Sequence, residues 1–237
     1  MLVAGGAGGV GEGIVRALLA ATDVTVIATS RDVARLELLK SRLGEYADAR
    51  RLIGIVGNAG DTEGAEAIAG RIRADVGPLD VAIPSLGGWW EGGPLLDADF
   101  ATWRMVMGEM LDTHFAFART FVPELERRSG GWYLAIGGGA AYFPVPNASI
   151  VSIAAAGQLM LTRALAAENA DRGVRINELV VNGPVRTRDS EAIAETDWIT
   201  ADEVGRVVAE LVRDGKSSWP ALREKGPIII MDPVPRS

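Results

Sequence analysis

The chain opens Met1-Leu2-Val3-Ala4-Gly5-Gly6-Ala7-Gly8-Gly9-Val10-Gly11-Glu12-Gly13-Ile14, and the reading of this stretch decides the fold. Met1 to Ala4 predict a short strand. Gly5, Gly9 and Gly11 follow at the spacing G-x-x-x-G-x-G, and a helix is expected over about Gly11–Ala21. A strand that turns through glycines into a helix is a phosphate cradle. Glycine permits the tight turn and a close backbone approach, while the helix N-terminus offers free N–H groups and a partial positive charge. Gly5, Ala7, Gly8, Gly9, Val10 and Gly11 are therefore the first candidate cofactor contacts.

Outward from that turn, apolar runs alternate with helical periods. Further strands are expected at Val24–Thr29, Leu52–Val56, Leu79–Ile83, Trp132–Ile136, Val174–Val181 and Pro227–Met231. Helices are expected at about Asp32–Tyr46, Thr62–Val76, Asp99–Arg128, Ser149–Asp171 and Asp202–Asp214. Strands and helices in alternation imply parallel crossovers. The expected fold is α/β: a Rossmann-like, doubly wound parallel sheet of about seven strands in three α/β/α layers, as one domain over residues 1–237. Such a sheet binds ligands beyond the carboxyl ends of its strands.

Composition narrows the function. The net charge of -7 and the lack of a basic run argue against nucleic acid. With no cysteine, neither disulfides nor thiolate chemistry arises, and a single histidine, His114, removes multi-histidine metal sites. No apolar run approaches the roughly 20 residues needed to span a bilayer, and no charged region precedes the first apolar stretch. The expectation is a cytoplasmic protein with no membrane and no metal.

Several ordered motifs extend the pattern. Gly77–Asp80, Phe121-Val122-Pro123, Gly131, Leu161-Thr162-Arg163-Ala164-Leu165-Ala166-Ala167-Glu168, Gly173-Val174-Arg175-Ile176-Asn177 and Gly183-Pro184-Val185-Arg186-Thr187 follow one another at fixed spacing. In these the chain resembles the short-chain dehydrogenase/reductase family over nearly its whole length. The resemblance implies a dinucleotide in the glycine loop, with Gly183 and Thr187 closing on it. The second strand ends Ser30-Arg31, where an NAD-preferring site usually places a carboxylate; a hydroxyl and a guanidinium favour a 2′-phosphate, hence NADP over NAD. Asn58 stands where the family has an aspartate near the adenine, with Ala59 beside it. Gly87 is what remains of the family's N-N-A-G segment after the fourth strand.

The catalytic positions depart from the family. Its chemistry uses a serine after the fifth strand, a tyrosine and lysine spaced Y-x-x-x-K, and an asparagine in the long helix. Aligned through the motifs above, these positions are Gly138, Val151, Ala155 and Met110. No Y-x-x-x-K occurs anywhere: residues four beyond Tyr46, Tyr133 and Tyr142 are Arg50, Gly137 and Pro146. No catalytic residue is therefore assigned. Three readings follow. The first is a dinucleotide-binding relative with little or no carbonyl reduction, holding NADP and an unknown small molecule. The second is an active oxidoreductase with Tyr142 or His114 as proton donor. The third is a structural subunit without ligand. All three expect a homodimer or homotetramer through helices 99–128 and 149–171, where small residues such as Ala154, Ala155, Ala156 and Gly157 allow close approach.

Overall fold

The computed structural model describes residues 1–48, 50–128 and 130–234; the rest of the 1–237 span lies outside the described residues. Short apolar runs with both faces buried build one sheet. Its strands are β1 (Leu2–Ala4), β2 (Val26–Ser30), β3 (Leu52–Val56), β4 (Val81–Pro84), β5 (Trp132–Gly138), β6 (Arg175–Val181), β9 (Leu222–Lys225) and β10 (Ile228–Met231). They lie in the order β3-β2-β1-β4-β5-β6-β10-β9, parallel except for the β9–β10 hairpin. The order of winding reverses at β1, with β2 and β3 added on one side and β4 to β6 on the other, and this is the switch point where open α/β sheets take ligands. The antiparallel β9 was not expected from sequence. Its pattern of one half-buried and three exposed residues suits an edge strand and gives no hydrophobic period. Two further short strands, β7 (Val185–Arg186) and β8 (Ile199–Thr200), pair with each other beyond the end of β6.

Helices α1 (Gly9–Ala21), α2 (Val33–Leu43) and α7 (Ala201–Asp214) cover one face of the sheet. On the other lie α3 (Thr62–Asp75), α4 (Phe100–Met107), α5 (Thr113–Glu126) and α6 (Ser149–Glu168). The long helix expected over 99–128 is interrupted: Gly108–Asp112 winds as a π turn between α4 and α5. Such turns are rare and concentrate at functional sites.

The expectation that nothing here is long enough to span a bilayer needs correction. By length and composition alone, Ser149–Glu168 is long and apolar enough to cross one. Its alanines and leucines lie over β5 and β6, where Ile150, Val151, Ala154 and Leu159 are buried. The same helix binds a buried acid on β6. Thr162 Oγ1 donates to Glu178 Oε2 at 2.7 Å, and Gln158 Nε2 donates to Glu178 Oε1 at 3.3 Å. Gly137 leaves the room for it, since a Cβ there would stand 2.1 Å from Glu178 Oε1.

Burial pushes the Glu178 carboxyl up to about 7, against the lowering effects of Thr162 and Arg163. Between its unfolded value and about 7 the folded chain binds more protons than the unfolded one, so stability falls as pH rises through that window. Glu178→Gln removes the titration. Relative to wild type, the variant should gain on the order of 3 kcal/mol between pH 4 and pH 8. Urea melts at the two pH values measure this, and a wild-type–variant difference that does not change with pH would refute it.

Candidate functional site

The glycine loop fits a phosphate by shape. Gly5 has φ +73°, and a Cβ there would lie 2.2 Å from the Ser85 carbonyl oxygen; one on Gly11 would lie 2.2 Å from the Gly5 carbonyl oxygen. No other residue allows this approach of β1, α1 and the loop after β4. Gly8 N–H donates to the Gly5 carbonyl at 2.8 Å and closes the turn. Gly8 is also the N-cap of α1 and gives it no side-chain capping bond. In contrast, α2, α3, α4 and α7 are capped by Asp32, Asp61, Asp99 and Thr200. The first-turn N–H groups at Gly9, Val10 and Gly11 therefore lack a side-chain acceptor, which is the arrangement that takes an anion.

The remaining candidate contacts fall around the same end of the sheet, with different fates. Ser30 ends β2 and its Oγ accepts from Asp32 N–H at 3.2 Å. Asp32 accepts from the Ala34 N–H as the N-cap of α2, and Arg31 stands exposed beside it at the strand end. Asn58 turns its side chain into its own loop: Oδ1 accepts from Gly60 N–H at 3.1 Å and Nδ2 bonds Asp61. Ala59 is buried in the core against α3 and α5. Gly87 sits at φ +94° beside Met110. Gly183 follows β6, and Thr187 lies on the glycine loop, since a Cβ on Gly9 would be 2.8 Å from Thr187 Cβ. Ala7 is buried beneath the same loop. Two cavities, of about 230 and 220 Å³, lie beyond Gly183 around Trp198 and Trp219.

Of the four positions expected from the motifs to hold the catalytic set, Met110 and Val151 share one apolar cluster. Met110 lies in the π turn, and a Cβ added to Gly87 would stand 3.6 Å from its Cγ. With Val151, Trp90, Met107 and Val145 it forms one apolar cluster beside the loop after β4. Gly138 ends β5, and a Cβ there would meet nothing within 4 Å. Ala155 is buried one turn along α6 from Val151.

The two alternative donors are placed very differently. His114 is 1% exposed, and burial lowers its imidazole to about 4, so it is neutral at pH 7. Its Nε2 lies 3.3 Å from the Leu86 carbonyl oxygen, so that nitrogen carries the proton and donates; among the described residues Nδ1 has no partner. His114 thus fixes the loop that carries Gly87. Tyr142 caps the turn after β5 and is 44% exposed, with its phenol raised mainly by partial burial. Sequence reasoning missed Arg188. Its guanidinium reaches both the Ala7 carbonyl and Glu12, and no motif spacing singles it out.

A family model described as short chain dehydrogenase matches residues 1–198. The chain belongs to the short-chain dehydrogenase family. Galactitol 2-dehydrogenase (L-tagatose-forming) of Cereibacter sphaeroides is 32% identical over 211 residues, which cover 86% of this chain and 80% of that enzyme. A metagenomic short-chain oxidoreductase solved in complex with NADP has a TM-score of 0.78 at 21% identity, covering 98% of this chain and 96% of its own. An NADPH-bound short-chain oxidoreductase from Pseudomonas aeruginosa PAO1, described as containing an atypical catalytic center, has a TM-score of 0.82 at 24% identity, covering 98% and 94%. The fold of the family, its glycine loop and its G-V-R-I-N segment each have a physical counterpart here. In the last of these, Asn177 accepts from Trp132 Nε1 at 2.9 Å and donates to the Pro227 carbonyl at 3.0 Å, clipping β5, β6 and β10 together.

Proposed function

We propose that this single-domain member of the family binds a nicotinamide dinucleotide, NADP in preference to NAD, and carries out little or no ordinary carbonyl reduction. The observation that carries the proposal is a contrast within one site. The glycine loop keeps its anion-binding geometry, while the positions that should donate and tune a proton are apolar or lack a side chain. Gly8, Gly9, Val10 and Gly11 would hold the diphosphate, Thr187 would close on it, and Ser30 with Arg31 would take the 2′-phosphate. Gly5, Ala7, Asn58, Ala59, Gly87 and Gly183 shape the groove, with Asn58 and Ala59 acting through the loop after β3. A bound nicotinamide would supply or accept hydride.

What the chain adds is position and dryness. His114 holds the Leu86–Gly87 loop, and the cluster of Met110, Val151 and Trp90 excludes water from the substrate end. An apolar, weakly polarised small molecule suits such a wall better than a charged one. Exposed Met105 and Phe115 on α4 and α5, with Ile153 and Met160 on α6, support assembly as a homodimer or homotetramer through helices 99–128 and 149–171.

The test is a thermal-shift and calorimetric titration with NADP, NAD and ADP-ribose. NADP is expected to raise the melting midpoint, because it binds the folded chain and not the unfolded one, and NAD to raise it less. An unchanged midpoint with millimolar NADP and NAD would favour the ligand-free structural subunit instead.

A further inference from the structure

Glu12 lies in the first turn of α1, and three guanidinium groups meet on its carboxylate. Arg16 Nη2 donates to Oε1 at 2.9 Å, Arg42 Nη1 donates to Oε2 at 2.9 Å, and Arg188 Nη1 donates to the same Oε2. Arg16 and Arg42 come from α1 and α2, the helices that flank the acid, and each makes a bond to one of its oxygens. With those two in place the carboxylate is already matched, so the third cation is surplus to it.

Arg188 also differs in origin and reach. It follows β7, 176 residues along the chain, and its Nη2 donates to the Ala7 carbonyl at 2.9 Å. A fixed positive charge is thereby seated on the glycine loop itself, next to the first-turn N–H groups of α1. The segment that carries it is stiff: Thr187 N–H donates to Ser190 Oγ at 2.9 Å, and Ser190 Oγ donates to the Val185 carbonyl at 3.0 Å. The acids that face Arg188 and Arg16 from outside, Asp189 and Asp202, are mostly solvent-exposed, and water and salt screen them. Against the single charge of Glu12 the three guanidiniums leave two positive charges beside the loop, which those exposed acids offset only in part. Lysine is not available to supply that charge, since the chain has only Lys40, Lys216 and Lys225, on α2, after α7 and on β9.

We infer that Arg188 is the side-chain cation that grips the diphosphate of the dinucleotide in the glycine loop, with Glu12 holding the guanidinium ready at its rim. This rests on the dinucleotide reading above. A guanidinium suits the task because its planar fork can keep one N–H on the Ala7 carbonyl while others bond phosphate oxygens. Glu12 keeps Arg16 and Arg42 when Arg188 turns to the ligand, so no buried charge is left unpaired.

The experiment is calorimetric titration of the full chain and of its Arg188→Ala and Arg188→Lys variants with NADP, NAD and inorganic pyrophosphate, each variant first checked by its melting curve. Arg188→Ala is expected to weaken all three ligands, NADP and NAD by the same factor of roughly 10- to 100-fold, the range of a lost charge-assisted hydrogen bond. Arg188→Lys is expected to recover part of that loss. Unchanged affinity in Arg188→Ala overturns the inference. A loss confined to NADP overturns it too, because that places the guanidinium on the 2′-phosphate. A lower melting midpoint with unchanged affinity makes Arg188 a structural strap only and also overturns it. If the wild-type chain binds pyrophosphate through Arg188 but neither dinucleotide, the Arg188 site stands and the dinucleotide reading falls. If it binds none of the three, both fall.

Discussion

With NADPH and a broad panel of aldehydes and ketones, the purified chain is expected to turn over about 10²–10⁴-fold more slowly than acid catalysis would allow. Adding Val151→Tyr together with Ala155→Lys is expected to recover about two orders of magnitude of that deficit. Val151 is buried against Met110 and Trp90, so no group there can give a proton to a carbonyl oxygen as hydride arrives. His114 cannot take over: it is buried and neutral, and its N–H faces Leu86. A tyrosine at 151 would be held protonated by its apolar setting, and a lysine one turn along α6 would counter that by its charge. The extra volume costs about 1–3 kcal/mol of packing, so the double variant should melt lower while reacting faster. Opposed changes in stability and rate separate a gained donor from a general improvement of the fold. Rapid turnover by the wild-type chain would sink the proposal and make Tyr142→Phe the next measurement.

The architecture was legible because glycines and apolar periods are enforced by sterics and burial. Leu52–Val56 matches the expected strand bounds, and α3 and α7 begin within one residue of theirs. The glycine loop was legible for the same reason: Gly5 and Gly11 are required by backbone contacts that no Cβ tolerates. What sequence left hidden depends on long-range contacts. A π turn at Gly108–Asp112 leaves no periodic signature, because five residues among thirty barely shift a helical pattern. Arg188 meets Glu12 across 176 residues, and the loop after β3 turns Asn58 inward through a local Asx bond. Glu178 shows the converse. A charged residue inside a strand run reads as an interruption, yet Gln158, Thr162 and the space at Gly137 make room for it.

One substitution is expected to have opposite effects in two helices. Gly70→Ala on α3 should raise the melting midpoint, and Gly205→Ala on α7 should lower it by roughly 6–12 °C. Both glycines are helical with ordinary negative φ, so propensity alone favours alanine at each by about 0.8–1 kcal/mol. At Gly70 nothing opposes that gain, because an added Cβ would come no nearer than 3.7 Å to Arg73 Nη2, the end of a movable side chain. At Gly205 the same Cβ would stand 2.1 Å from the Gly13 carbonyl oxygen and 2.5 Å from its carbon. Those are backbone atoms of α1 and cannot rotate away. Gly13 mirrors the contact, with the Ala201 carbonyl oxygen 2.2 Å from where its own Cβ would be. The two helices therefore cross backbone to backbone, and one methyl must force them apart. Ile14, Leu18, Val204, Val208 and Leu211, all fully buried around that crossing, would lose contact together. A cost of about 3 kcal/mol follows, more than propensity returns. Because α1 carries Gly9 and Gly11 at its start, its displacement should also weaken dinucleotide binding in the folded variant. A Gly205→Ala protein that melts higher than wild type would show that the two helices are not in backbone contact.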